Sequence, residues 1–264
     1  MYIRDKGIGT PVVLIHGQPG HGKNWKPVED ALGTGFRTIS LDRPGYGLSG
    51  ESAASMSKNA ELILEELSAR GVEKFIVVGH SLGGGIAFYM ACMAPERILG
   101  MVLAGSIGTR SCLTQLDYLL ATPIIGDLLA LAGLISLDIL LPWVNDHLDL
   151  APQFFRREAQ LRLRHSPIKS VSPRPFFRTW KTFVSEQRAL VADIDRLADN
   201  LESISVECVL LSGTEDDVIP KSSIMELNGK LENSELVWVE GAGHLLTIEA
   251  PEIIASYIKK FSLN

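Results

Sequence analysis

Short β-branched runs alternate with helix-periodic stretches through the first hundred residues, and this alternation restricts the possible folds more than any other feature. Four apolar runs predict strands at residues 12–15, 37–41, 74–78 and 101–104. Helical patterns lie between them at residues 57–69 and 82–93, the second apolar on nearly all sides. Because parallel strands are joined by long crossovers, usually helices, the pattern predicts an α/β fold with a mostly parallel central sheet flanked by helices.

The composition is typical of one globular core. The chain has 264 residues, 46% of them hydrophobic and 21% charged, and single α/β domains routinely reach roughly 250 residues. The 25 basic and 31 acidic residues give a net charge of −6, so there is no overall basic field and we expect no nucleic-acid partner. The first ten residues carry no leader-like pattern, and we expect a cytoplasmic location.

The alternation stops after Ser106 and resumes with a strand pattern at residues 206–213. The residues between are helical in pattern, which predicts a helical cap inserted at residues 107–203, between core segments 1–106 and 204–264. An apolar run at residues 118–144 is broken by Asp127 and Asp138. Its uncharged stretches fall short of the ~20 residues that span a bilayer, so we do not expect membrane contact.

Residues 156–188 form a strongly basic segment within the predicted cap. The segment contains nine Lys or Arg residues and two Glu residues, a net charge of +7. A solvated cap face is the simplest interpretation. A patch for an anionic substrate or a membrane surface is the alternative that the sequence leaves open.

A strand that ends in a glycine-flanked serine predicts the nucleophile. The sequence FIVVGHSLGGG runs from an apolar strand into a helix and contains Gly79-x-Ser81-x-Gly83, a pattern that carries meaning in this strand-turn-helix context. A serine on such a sharp turn has strained backbone angles and close neighbours, so small residues must flank it. The start of the helix beneath the hydroxyl favours developing negative charge.

A serine nucleophile needs a base, and the base needs an orienting acid. His244 lies in the loop VEGAGHLL directly after the last predicted strand, and we take it as the base. The strand at residues 206–213 is followed by Glu215, Asp216 and Asp217. Asp216 is preferred over Asp217 because its position relative to the preceding glycine and the following proline suits the pattern of the hydrolase family that the chain resembles.

These residues stand in the order Ser81, Asp216, His244, and the chain resembles the α/β-hydrolase fold superfamily, in particular its serine-nucleophile, esterase- or lipase-like members with a helical cap. The resemblance covers almost the whole chain. The motifs that carry it, besides GHSLGG, are LIHGQPG at 14–20, LDRPGYGLS at 41–49, SGTEDDVIP at 212–220 and EGAGHLL at 240–246.

The resemblance also implies an oxyanion hole, formed by the backbone N–H groups of Gln18 and Leu82. Two departures from the family pattern bear on the prediction. Only about ten residues precede the first predicted strand, so one sheet edge is expected to be shortened. The HGQPG stretch resembles dehalogenases and epoxide hydrolases, which use an Asp nucleophile, but Ser81 argues against both chemistries.

Several neighbouring residues are assigned structural roles. His16 and His80 are expected to brace the catalytic backbone, while Asp42 and Arg43 are expected to fix the turn after the second predicted strand. The run Gly17 to Lys23 matches a phosphate-binding loop, but Asn24 replaces the Ser or Thr that would bind magnesium, and Pro19 removes an N–H group.

The sequence therefore predicts a serine hydrolase that cleaves a carboxylic ester, or a related acyl bond, of a hydrophobic small molecule through an acyl-enzyme intermediate. Cys92, Cys112 and Cys208 have no metal-site spacing, and we expect neither a cofactor nor a metal. Alternatives are carbon–carbon bond hydrolysis of dienoic ring-fission products, cofactor-free perhydrolysis and, in another class, a receptor-like ligand-binding role. The motifs do not predict the natural substrate or the oligomeric state.

Overall fold

A seven-stranded sheet forms the centre of the protein. The computed structural model describes the backbone of residues 1–135 and 173–263, and the side chains of residues 1–133 and 179–263. The strands are β1 (Tyr2–Gly7), β2 (Thr10–Ile15), β3 (Phe36–Asp42), β4 (Phe75–His80), β5 (Ile98–Ala104), β6 (Cys208–Gly213) and β7 (Ser234–Val239). Their order is β1-β3-β2-β4-β5-β6-β7, with β1 antiparallel to β3 and every other pair parallel. The predicted α/β fold with a mostly parallel sheet is confirmed.

Helices cover both faces of this sheet. The α-helices of the described ranges are α1 (Lys26–Leu32), α2 (Met56–Ala69), α3 (Leu82–Met93), α4 (Gln115–Ala121), α5 (Ile125–Ile135), α6 (Pro173–Asn200), α7 (Lys221–Lys230), α8 (Leu246–Glu249) and α9 (Pro251–Phe261). Alternate β4 residues face opposite layers: Val77 belongs to the core cluster that contains residues of α2, α3 and α7, whereas Val78 belongs to the cluster that contains residues of α1 and α9. Strands buried on both faces read as continuous apolar runs, which is why the sequence pattern was a good guide to them.

The first strand is a correction to the sequence analysis. The polar N-terminal residues, which carry no strand prediction, form β1, paired in antiparallel register from Tyr2 opposite Asp42 to Gly7 opposite Arg37. Its residues are exposed or half-buried because it is an edge strand. Such a strand has no buried face to impose an apolar alternation, so its pattern is weak.

The predicted insertion is helical in its described parts. Helices α4, α5 and α6 lie between β5 and β6, and the exact limits 107–203 of a separate cap stay a prediction. The second half of α6 packs into the main core through Leu190, Ile194 and Leu197. Residues 136–172 and most side chains of the basic segment lie outside the described residues, as does the end of the apolar run at residues 118–144.

No single helix among those described is both long and apolar enough to cross a membrane. The segments Gln115–Ala121 and Ile125–Gly133 meet that test only when taken together, and the chain bends by 111° between them.

Candidate active site

Ser81 lies on a strained turn between β4 and α3. Its backbone angles are φ 53° and ψ −120°, a region that few residues other than glycine adopt. The flanking glycines permit the close approach that this turn needs. A Cβ on Gly79 would lie 2.6 Å from the Gly83 carbonyl oxygen, and one on Gly83 would lie 2.2 Å from that of Ile15. The structure therefore gives the steric reason for the spacing around the serine.

Backbone hydrogen bonds fix this turn in place. The Ser81 N–H donates to the Ala104 carbonyl at the end of β5, at 3.0 Å, and the Ser81 carbonyl accepts from the Gly84 N–H at 2.9 Å. Leu82 is the first residue of α3. The first N–H groups of a helix have no partner within it, so the Leu82 N–H can donate a hydrogen bond to an acceptor outside the helix.

Asp216 and His244 form a buried hydrogen-bonded pair. His244 Nδ1 lies 2.9 Å from Asp216 Oδ2, and both residues are 7% exposed. The other carboxylate oxygen, Oδ1, accepts from the N–H groups of Val218, at 2.8 Å, and Ile219, at 3.0 Å. Asp217, the alternative acid, is exposed.

The charge state of Asp216 follows from these contacts. Burial by itself would raise the pKa of the carboxyl group, but the hydrogen bond and charge of His244 and the two backbone N–H donors outweigh it and lower the pKa below its ordinary value. Asp216 is therefore ionised at neutral pH and accepts the proton on Nδ1 of His244. That tautomer leaves Nε2 as a proton acceptor.

The loops that carry these residues meet at one edge of the sheet. The His80 and His244 rings lie 4.8 Å apart, and His80 Nε2 lies 2.9 Å from the His244 carbonyl oxygen. A Cβ on Gly105, directly after β5, would lie 3.0 Å from His244 Nδ1. This is the edge where parallel strands end, the usual place for ligands in α/β sheets. Within the described part of the chain, Ser81 forms no side-chain hydrogen bond with His244, and such bonds often tighten only when substrate is bound.

The loop after β2 lies beside the serine. A Cβ on Gly17 would lie 2.9 Å from His80 Nδ1 and 3.0 Å from Ser81 Cβ, so Gly17 and the following Gln18 border the nucleophile turn. Both ring nitrogens of His16 are in use, because Nδ1 contacts the Gly17 carbonyl at 2.7 Å and Nε2 accepts from the Arg43 N–H at 3.0 Å. His16 therefore braces the loop, as predicted.

Burial and the neighbouring charge of Arg43 set the state of His16. Together they hold the pKa of the imidazole well below its ordinary value. The ring is neutral at neutral pH, with one nitrogen donating and the other accepting, and its two hydrogen bonds use both roles.

Asp42 and Arg43 were both expected to fix the turn after β3, and the structure gives this role to Asp42 but different partners to Arg43. The Asp42 carboxylate accepts from the backbone N–H groups of Gly22, at 2.7 Å, and Leu48, at 2.9 Å, and so fixes the turn. Because the Gly22 N–H is committed to Asp42, the glycine-rich run does not form a free phosphate cradle. Arg43 instead reaches away from the turn, to the loop at Gly17 and to Glu186 of α6.

Sequence reasoning missed Glu186 and its neighbour Gln187, both buried in α6. Glu186 was counted with the solvated charges of the basic segment. No local signal could have found it, because α6 also contains Asp193, Asp195 and Asp199, none of them buried, and the sequence pattern does not set Glu186 apart from these acids.

The cysteines take no part in this site. Burial raises the pKa of the Cys112 and Cys208 thiols to about 12, so neither is a thiolate at neutral pH. Within the described ranges, no group of three or more His, Cys, Asp or Glu side chains is arranged to hold a metal ion.

Comparison with known proteins identifies the family of the chain. A family model described as the alpha/beta hydrolase fold matches residues 10–251. A 2-hydroxymuconate semialdehyde hydrolase of Pseudomonas sp. (strain CF600) is 29% identical over 269 residues, which cover 98% of this chain and 89% of that protein. A pimeloyl-[acyl-carrier protein] methyl ester esterase of Nitrosomonas europaea is 36% identical over 107 residues, 40% of this chain and 41% of that protein.

A solved structure extends the likeness to the fold. A meta-cleavage product hydrolase from Pseudomonas fluorescens IP01 superposes with a TM-score of 0.70 and 28% sequence identity. The match covers 98% of this chain and 92% of that one.

Proposed function

Since the chain belongs to the alpha/beta hydrolase fold family and is a hydrolase, we propose that it uses Ser81 to cleave a carboxylic ester, or a related acyl bond, of a hydrophobic small molecule. The observation that carries the proposal is the buried Asp216–His244 pair at the sheet edge where Ser81 occupies its strained turn. A serine on such a turn, a histidine held in one tautomer and an ionised acid are the three parts that nucleophilic acyl transfer needs.

In the proposed reaction the Ser81 hydroxyl attacks the substrate carbonyl carbon while His244 Nε2 takes its proton. Asp216 holds the imidazole through Nδ1 and stabilises the imidazolium that forms. The N–H groups of Leu82 and Gln18 bind the carbonyl oxygen as it becomes an oxyanion.

The second half of the reaction uses the same groups. His244 returns its proton to the leaving alcohol, which departs as the tetrahedral intermediate collapses to an acyl-serine. Water then attacks the acyl carbon, again with His244 as the base. His244 passes that proton to Ser81 Oγ as the acyl–oxygen bond breaks, which releases a carboxylic acid and regenerates the serine. This account requires no cofactor.

Carbon–carbon bond hydrolysis is the second candidate, and the extent of the relatives' matches favours it. The relatives named for 2-hydroxymuconate semialdehyde and for meta-cleavage products cover 98% of this chain, whereas the ester esterase covers 40%. Such a substrate is acidic, which suits the basic segment of the insertion. Both candidates use the same three residues.

Turnover of two substrate series tests the proposal. Wild type and Ser81→Ala are compared on p-nitrophenyl esters of graded acyl length and on a vinylogous diketo acid such as 2-hydroxymuconate semialdehyde, with folding checked by circular dichroism. Ser185→Ala, an exposed serine on α6, is the matched control. Ester turnover that is lost only in Ser81→Ala supports the esterase.

The other outcomes are equally informative. A strong preference for the diketo acid moves the assignment to carbon–carbon hydrolysis with the same nucleophile. Folded wild type that turns over neither series contradicts both candidates and favours a ligand-binding role.

A further inference from the structure

A buried ion pair joins the helical insertion to the loop beside the nucleophile. The side chains of Arg43 and Glu186 are 0% and 1% exposed. Arg43 Nη1 binds Glu186 Oε1, Nη2 lies 3.2 Å from Oε2, and the Tyr46 hydroxyl donates to Oε2 at 2.8 Å. Removing two charges from water is costly even when they are paired, so a pair of this kind is weak evidence for a stabilising role.

The same guanidinium holds the loop after β2. Arg43 Nε donates to the His16 carbonyl at 3.0 Å, and Nη2 donates to the Gly17 carbonyl at 2.9 Å. The Gly17 oxygen has a second partner in His16 Nδ1, at 2.7 Å. Arg43 therefore divides its donors between Glu186 on one side and two consecutive carbonyls of the loop on the other.

Fixing the Gly17 carbonyl also fixes the next N–H. The Gly17–Gln18 peptide bond is trans, since the cis bond of this loop is the following one, Gln18–Pro19. In a planar trans peptide the carbonyl oxygen and the N–H point in opposite directions. With its oxygen held by Arg43 and His16, this peptide must direct the Gln18 N–H away from them.

A second contact links the same two segments. The Gln18 side-chain Nε2 donates to Gln187 Oε1 at 2.8 Å, and Gln187 Nε2 donates to the Asp117 carboxylate of α4 at 2.8 Å. A carboxylate only accepts, so Asp117 fixes which end of the Gln187 amide faces Gln18. Two adjacent residues of α6 thus hold the loop: Glu186 holds the Gly17 carbonyl through Arg43, and Gln187 holds the side chain of Gln18 directly.

We infer that Glu186, acting through Arg43, is a positioning residue that orients the Gly17–Gln18 peptide so that the Gln18 N–H faces the substrate carbonyl oxygen. The inference rests on the proposed function, because an oxyanion donor has a role only if Ser81 attacks a carbonyl. The helical insertion is then a structural part of the oxyanion hole. The second half of α6 packs in the main core, which gives Glu186 a rigid support.

The role predicts a particular kinetic signature. A donor aimed at the oxyanion acts in the transition state, so its misorientation lowers kcat and leaves KM nearly unchanged. Loss of one oxyanion donor costs roughly 100- to 1,000-fold in kcat. Glu186→Gln removes the charge but keeps the shape and one acceptor, so we expect a decrease of about 10- to 100-fold.

The test compares Glu186→Gln with Asp127→Asn. Asp127 lies on α5 and pairs with Arg188 of α6, so this ion pair also holds α6, but it joins α6 to α5 and not to the loop at Gly17. Each variant is assayed for kcat and KM on the best p-nitrophenyl ester, and for inhibition by a trifluoromethyl ketone that becomes a tetrahedral adduct. We expect Glu186→Gln to lose kcat and ketone affinity by similar factors, and Asp127→Asn to match wild type.

Three results would overturn the inference: an unchanged kcat in folded Glu186→Gln, a loss confined to KM, or an equal loss in Asp127→Asn. If Glu186→Gln does not fold, Arg43→Lys is the deciding variant. Lysine keeps the positive charge beside Glu186 but lacks the separate nitrogens with which Arg43 binds the His16 and Gly17 carbonyls. An unchanged kcat in folded Arg43→Lys rejects the inference. Wild type that is inactive, or turnover that persists in Ser81→Ala, rejects the proposed function instead.

Discussion

Asp216 uses its two carboxylate oxygens for different partners: Oδ2 lies 2.9 Å from His244 Nδ1, while Oδ1 accepts two backbone N–H groups of its own loop. The loop therefore fixes the carboxylate plane, and the carboxylate fixes the histidine tautomer. This relationship joins the end of β6 to the loop after β7, and it determines which nitrogen of His244 is free to act as a base.

Asp216→Asn should lose about 1,000- to 10,000-fold in kcat. The N–H groups of Val218 and Ile219 require an oxygen at the Oδ1 position, so the amide nitrogen must face His244. The imidazole then keeps its proton on Nε2 and is no longer a base. Asp217→Asn, at an exposed neighbour, is the matched control and should retain nearly full kcat. A large loss in Asp217→Asn with an active Asp216→Asn would move the acid by one residue.

Gly105→Ala should disable the same pair by steric contact. Gly105 has φ +52°, and its Cβ would lie 3.0 Å from His244 Nδ1 and 3.3 Å from Asp216 Oδ2. Gly71→Ala introduces comparable backbone strain, at φ +66°, with nothing within 4 Å. Each substitution should cost about 1–2 kcal/mol of stability, but only Gly105→Ala should lower kcat, by at least about tenfold. Equal kcat values in the two folded variants would contradict the assigned position of the pair.

Stability should fall as the pH drops below about 6.5, in part because of His16. Burial and Arg43 keep the pKa of this group far below its ordinary value in the folded protein. Below about pH 6.5, the ordinary pKa of histidine, His16 takes up a proton in the unfolded chain but not in the folded chain, so acid favours unfolding. The slope from this group reaches about 1.4 kcal/mol per pH unit and ends only near the folded-state pKa.

Urea unfolding of wild type, His16→Asn and His21→Asn at several pH values measures this slope. His16→Asn should be less stable at pH 7.5, because it loses two buried hydrogen bonds, but less sensitive to acid. Burial also lowers the pKa of His21, but by less than that of His16. His21→Asn should therefore reduce the pH dependence of stability only in a narrow range directly below pH 6.5. Parallel pH profiles for wild type and His16→Asn would show that folding does not lower the pKa of His16.

The sequence was a good guide where one local requirement decides the structure. The strand β4 is buried on both faces, and Ser81 needs small neighbours at fixed positions, so the sheet centre and the nucleophile turn could both be predicted. The N-terminal strand β1 could not be, because its side chains are mostly exposed and carry no apolar alternation.

The contacts of Glu186 could not be predicted for a different reason. Its partner Arg43 lies 143 positions away, and no local pattern distinguishes a buried glutamate from a solvated one. Long-range pairing of charges depends on how the insertion sits on the core, which only the assembled fold defines.

Covalent labelling of Ser81 tests the central claim most directly. Wild type, Ser81→Ala and Asp216→Asn are treated with a fluorophosphonate, and intact mass spectrometry with peptide mapping finds the modified residue. The account predicts one phosphonyl adduct per chain on Ser81 in wild type, slower labelling in Asp216→Asn and no adduct in Ser81→Ala. An adduct on another residue, or an unlabelled wild type that still turns over substrate, would contradict the assignment of Ser81 as the nucleophile.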